Sequence, residues 1–338
     1  MTGPSRRDVL RASAGVGLAA LTASAGCTEQ IGGLTGGGGV GTDSAPADSR
    51  GVFTADVQGI LGDENTARLV NTYLDTFGTD TSPESYEVLL DEAEAQATLD
   101  PSRLQSVLGF GEFGYLGFGG EAYAGAVFES DWAESDVVDA LEENSEVEYT
   151  EDEYAGTTVY RNDAEYLDTT LAVLGDGRYV LGSASAVEDA TDVANGDGDA
   201  IGSALSDAYD ASRDGYVRYS AEVPDDSIPR ALPVGSERVE LDAYQRVTHS
   251  GGALYSNGDT VGLEVLFVAV DAQAAEAVAE QTEALITVAK SLESTTDEVE
   301  AALDRLTVSQ DGANVSITYE TTVGELEGRI EALGEQYG

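Results

Sequence analysis

Cysteine, histidine, lysine, methionine and tryptophan each occur once in these 338 residues. With Cys27 as the single cysteine, no disulfide can close within the chain. With His249 as the single histidine there is no His/Cys metal set and no Ser-His-Asp triad. A G-x-S-x-G elbow, an S-x-x-K pair and a P-loop are also missing. Basic residues are scarce, 16 against 64 acidic ones, for a formal charge of −48. No basic patch can form to neutralise phosphates, which excludes a nucleic-acid partner. No catalytic residue, cofactor or metal ligand is assigned from the sequence.

What is abundant is acid. Such a charge repels itself at low ionic strength and is screened in molar salt, where the Debye length falls to ~3 Å. The composition, acidic with Lys290 as its only lysine, resembles that of proteins from extreme halophiles. High acidity also accompanies disorder, but periodic apolar segments across 51–338 predict a folded body there.

The first 27 residues read as an address. Ser5-Arg6-Arg7-Asp8-Val9-Leu10-Arg11 precedes an apolar run, Ala12 to Ala25, that ends at Ser24-Ala25-Gly26-Cys27. A charged start, a short apolar run and small residues before a cleavage point are the parts of a secretory signal. The run is shorter than the ~20 apolar residues a bilayer span needs. The segment resembles the twin-arginine lipoprotein leaders of haloarchaea, with Val9 and Arg11 where that pattern has Phe and Lys. The resemblance implies export through Arg6 and Arg7, lipid on Cys27, and a place on the outer face of the cytoplasmic membrane. The alternatives are a buried helix, or secretion without lipid.

Residues 1–26 are thus expected to be signal peptide, and 27–50 a Gly-rich linker. As a flexible coil the linker would reach roughly 25–30 Å. Two α+β halves, 51–212 and 213–338, should follow. Strands are predicted at 51–57, 123–129, 157–161, 169–174, 179–182 and 216–223. Helices are predicted over 64–77, 83–97 with Ser82 as cap, 101–108, 134–143 and 272–292 with Asp271 as cap. Asn257-Gly258 and Asp311-Gly312 mark hairpins. Paired strands separated by helices indicate α+β rather than a parallel doubly wound sheet.

A duplication is also expected. Leu171 to Val180 aligns without gaps with Leu306 to Val315, bringing Asp176-Gly177 onto Asp311-Gly312. Ala126-Val127-Phe128 aligns with Val265-Leu266-Phe267, and Gly51-Val52-Phe53 with Gly215-Tyr216-Val217.

Few motifs point to chemistry. Gly109 to Gly114 spells G-x-G-x-x-G, but a dinucleotide site needs a strand before it and a helix opening within it. A helix at 101–108 leading into a Gly-rich loop is expected instead. Phe110, Phe113, Tyr115 and Phe118 form the densest aromatic cluster, either core packing or a contact patch for a surface protein or small ligand. Asn195 to Asp199 starts like a calcium loop but has Ala200 and Ser206 at the positions that require Gly and Glu. Asn314-Val315-Ser316 is the one N-glycosylation sequon. The expected protein is a lipid-anchored binding or structural module, more a binder than an enzyme. The alternatives are a solute-binding lipoprotein of a transporter and an extracellular hydrolase.

Overall fold

A computed structural model describes residues 39–337 apart from 79–81, 113–122, 163, 165–167, 226, 235–236 and 293–296. The leader, with Arg6, Arg7 and Cys27, lies outside the described residues, as do Phe113, Tyr115 and Phe118.

The chain begins with β1 (Gly51–Asp56), α1 (Val57–Gly62), α2 (Glu64–Phe77) and α3 (Tyr86–Ala97). Next come β2 (Leu104–Gly111), β3 (Ala124–Ser130), α4 (Glu134–Ser145), β4 (Thr150–Tyr154) and β5 (Thr157–Arg161). The hairpin β6 (Thr170–Gly175) and β7 (Arg178–Gly182) leads to α5 (Ala184–Asn195) and α6 (Ser203–Ala211). The later part holds β8 (Val217–Glu222), β9 (Ala231–Val234), β10 (Glu237–Glu240), β11 (Val247–Asn257) and β12 (Thr260–Ala269). It closes with α7 (Ala272–Lys290), α8 (Asp297–Leu303), β13 (Leu306–Asp311), β14 (Asn314–Thr322) and α9 (Val323–Tyr337).

The fold is α+β. Twelve strands form one antiparallel sheet in the order β13-β14-β12-β11-β8-β1-β2-β3-β7-β6-β5-β4, and β9 and β10 pair separately. Successive side chains of a strand point to opposite faces. Val52, Leu108, Phe110, Val127 and Val180 therefore meet α5 and α6 on one face, through Ala186, Val187, Ala190 and Leu205. Ala55, Val107, Phe128 and Tyr179 meet Val57 and Ile60 of α1 and Val137 and Ala140 of α4 on the other. Farther along that second face, Ala274, Ala275 and Val278 of α7 cover Val315 and Ala269. Asp271 caps α7 as expected, its carboxylate accepting the Ala274 N–H at 2.7 Å.

Three expectations are corrected. The helix read over 101–108 is a 3-10 turn, Pro101–Arg103, that runs straight into β2. Asp100 and Pro101 do start a helical turn, Asp100 capping it through the Ser102 N–H, and the chain then extends with an irregularity between Leu104 and Ser106 that turns Leu104 to the face opposite Leu108 and Phe110. Helix α3 starts at Tyr86 and is capped by Ser85, not Ser82. The stretch expected to be linker through Arg50 is packed from Val40 onward. Val40 and Ala45 are buried among Val52, Leu108 and Phe110, and the Val40 N–H donates to Ser106 Oγ at 3.0 Å.

The sheet order has an internal correspondence about the β1–β8 seam. One pairing row runs Leu171–Leu181–Ala126–Gly109–Phe53 on one side of the seam. It continues as Tyr219–Gly252–Val265–Ile317–Val308 on the other. Phe53 lies over Gly109, and Tyr219 over Gly252, where added Cβ atoms would overlap the rings. This register aligns Ala126 with Val265, as the sequences do, but it aligns Leu171 with Val308 rather than Leu306 and Phe53 with Tyr219 rather than Val217. The hairpin turns differ by one residue: Asp176-Gly177 in one, Gly312-Ala313 in the other. An irregularity between Val173 and Gly175 accompanies the slip. Both Gly177 (φ 75°) and Gly312 (φ 56°) take positive φ, the conformation such turns require.

Candidate functional site

Phe110 is fully buried. Its ring packs over Gly125 of β3 and meets Tyr123 edge-on at 6.4 Å, so it belongs to the core and not to a contact patch. The Gly109–Gly114 letters begin within β2, which pairs antiparallel with β3. A dinucleotide fold requires a parallel crossover at that point, and the strand before these letters follows a short helical turn and not the expected helix. His249 lies in β11 between Glu222 and Val268, with Nδ1 3.1 Å from Thr248 Oγ1. Asn195 to Asp199 closes α5: Gly196 is left-handed, and the Asp192 carbonyl accepts from the Asp197 and Gly198 amides. Among the described residues, no group of three His, Cys, Asp or Glu side chains could hold a metal. Asn314 opens β14 beside the Gly312-Ala313 turn and is partly exposed.

Two concave places stand out among the described residues, and the sequence pointed to neither. The first, about 550 Å³, is polar and lies where α6 gives way to β8, beside the ends of β11, β12 and β14. The Arg213 guanidinium stacks 4.3 Å from the Tyr255 ring centre and donates to Glu320 at 2.8 Å. The Tyr255 hydroxyl donates to the same carboxylate at 2.9 Å. Glu264, nearly buried, accepts the Arg213 backbone N–H at 2.6 Å. Tyr255, Glu264 and Glu320 can converge because they share a sheet face on adjacent strands.

Hydrogen bonds from Arg213 and then Tyr255 hold Glu320 below the usual carboxylate range. Burial, reinforced by Glu320, pushes the Tyr255 phenol up. Tyr255 therefore stays protonated and Glu320 ionised through neutral pH, and neither is poised to exchange a proton there. The cluster acts as a clasp between the end of α6 and the sheet.

The clasp has a pH signature. A carboxylate whose folded pKa is depressed adds stability above its ordinary value, 4.5 for Glu, and loses it as pH falls through the folded value. Wild type should melt above Glu320→Gln at pH 6 to 7 (about neutral, where Glu is ionised), and the gap should close on acidification in molar salt. A gap that stays constant to the acid limit would remove Glu320 from the clasp.

The second place, about 610 Å³, is an apolar groove between α7 and β10 with its following 3-10 turn, Ala243–Arg246. Ala277, Ala284, Leu285 and Val288 form one wall and Val239 and Ala243 the other. Gln281 ties the walls together, donating to the Glu240 carbonyl at 2.7 Å and accepting the Ala243 N–H at 3.3 Å. The groove exists because Ala277 and Ala284, seven residues apart on one helix face, are small. That spacing was visible in the sequence; the β9–β10 hairpin opposite it was not predicted.

No family model matches the chain, and no curated protein matches it either. Among solved structures it is similar to three crystal forms of TP0453. Form IV is 10% identical with a TM-score of 0.44, over 87% of this chain and 97% of that chain. Form III is 8% identical with a TM-score of 0.43, over 86% and 97%. Form I is 8% identical with a TM-score of 0.39, over 86% and 96%.

Proposed function

We propose that this chain is a lipid-anchored, externally facing protein of a halophile whose body is a binding or structural module. The observation that carries the reading is the short distance from Cys27 to the core. Residues 28–39 alone separate Cys27 from Val40, which is buried against β2. Even fully extended they span at most about 45 Å. Lipid on Cys27 would hold the body within that distance of the membrane surface, about half the extended reach of a linker running on to Arg50. No helix among the described residues is long and apolar enough to cross a membrane. The apolar groove on α7 supports binding, since ligand sites are concave and mostly apolar. The solute-binding alternative expects two parallel-sheet lobes around a cleft, and a single antiparallel sheet does not favour it. The same reading takes the two matched sets of five strands as duplicated halves, supported by the shared pairing row.

Cys27→Ser tests the anchor. The variant should leave the membrane fraction after a high-salt wash while wild type stays, and stable retention of wild type implies more than one acyl chain. A Ser variant that remains membrane-bound would rule the lipid out as the anchor. Export should stop when Arg6 and Arg7 are both changed to Lys.

A further inference from the structure

The two edges of the sheet are built differently. At one edge, β4 reads Thr150-Glu151-Asp152-Glu153-Tyr154, and its three carboxylates are exposed. Charge on an edge strand is a standard guard against pairing with another chain. At the other edge, β13 reads Leu306-Thr307-Val308-Ser309-Gln310-Asp311, with its only acid at the last position. It carries no lysine, no proline and no bulge, and keeps an unbroken register of six pairs with β14. Among the described residues no strand pairs with its outer side. In a chain with 64 acidic residues, an edge with no charge over Leu306 to Gln310 is the exception.

We infer that β13 is a self-association edge and that its occupant is β13 of a second copy, paired antiparallel about a two-fold axis normal to the sheet. Counting back from the Gly312-Ala313 turn, Asp311, Ser309 and Thr307 exchange backbone hydrogen bonds with β14, and Val308 and Gln310 point theirs outward. A two-fold through Val308 places Val308 opposite its own copy and Thr307 opposite Ser309. The same register sets Asp311 opposite Arg305, an acid against a base. A two-fold at β4 centred on Asp152 would set Asp152 against Asp152 and Glu151 against Glu153, which like-charge repulsion forbids. Charge thus permits a second copy at one edge and refuses it at the other.

Helix α7, packed on β13, carries exposed Glu276, Glu280 and Glu283. The pairing therefore needs the short screening length of molar salt. A six-residue strand pair is small beside the ~1,200 Å² of stable interfaces, so the dimer is weak and concentration-dependent. The inference does not rest on lipid anchoring, and the test is run without the lipid.

In the full chain carrying Cys27→Ser, Val308→Cys and, separately, Asp152→Cys provide single thiols at the two edges. Directly opposed antiparallel partners lie about 5.5 Å apart at Cα in a hydrogen-bonded pair, as at Val308, and about 4.5 Å in the other kind, as at Asp152, both within disulfide reach. Under mild oxidation in molar salt, the Val308→Cys chain should run at twice the monomer mass and the Asp152→Cys chain at the monomer mass. Thr307→Glu with Ser309→Glu changes only exposed side chains, and it should abolish the dimer seen by sedimentation without altering the circular dichroism. A folded Val308→Cys chain that stays monomeric, equal cross-linking at both edges, or an adduct to a different protein would each overturn the assignment.

Discussion

Dialysis from molar salt to ~0.1 M, where the Debye length reaches ~10 Å, is expected to unfold the protein. The 16 basic residues can pair with at most a quarter of the 64 acidic ones, leaving the formal charge at −48. The ion pairs that do form are mostly exposed, such as Arg238–Glu240 at 3.3 Å and Arg246–Asp271 at 2.8 Å, and such pairs contribute little each. Two like charges about 10 Å apart in water repel by about 0.4 kcal/mol before screening. Salt at 0.1 M cuts this about threefold and 1 M about thirtyfold. Over dozens of neighbouring pairs the difference reaches several kcal/mol, comparable with the ~5–15 kcal/mol that holds a domain folded. Circular dichroism across a salt titration measures the outcome. A melting temperature indifferent to salt would refute the halophilic reading.

Phe110→Ala should be the most damaging single substitution in the described core. The ring is fully buried, lies over Gly125 and packs among Leu108, Val127 and Val180. Removing a buried phenyl costs about 3–5 kcal/mol in lost transfer energy and cavity. Relaxation cannot refill the space, because Gly125 offers no side chain and the backbones are fixed by ladder bonds. Denaturant midpoints in molar salt should fall accordingly, with the slope unchanged. If Phe110→Ala unfolded like wild type but lost a ligand, Phe110 would be a contact residue after all.

The legible part of the fold was whatever local chemistry decides. The Asn257-Gly258 pair set the hairpin of β11 and β12, with Gly258 at φ 63°. Helix α2 spans the expected 64–77, capped by Asp63 through the Thr66 N–H. The illegible part was decided by neighbours distant in sequence. Leu104 to Phe110 follow a helix-start signal, and only pairing with β1 and β3 makes them a strand. Val40 and Ala45 stand in a Gly-rich stretch with no period, and their burial depends on Ser106 and on Asp199, which accepts the Ala47 N–H. The ungapped match of Leu171 with Leu306 lays Asp176-Gly177 on Asp311-Gly312, but the turns are Asp176-Gly177 and Gly312-Ala313, and the pairing row that holds Leu171 holds Val308. The Arg213 clasp joins residues 107 apart in sequence, a separation at which no local pattern operates.

The anchored state is the centre of the account, and the mass of the mature N-terminus tests it most directly. Protein purified from membranes in molar salt and detergent should begin at Cys27, with the N-terminal peptide heavier than its sequence by the mass of thioether-linked lipid. A peptide that begins at Met1, or an unmodified Cys27 with a free thiol, would contradict it.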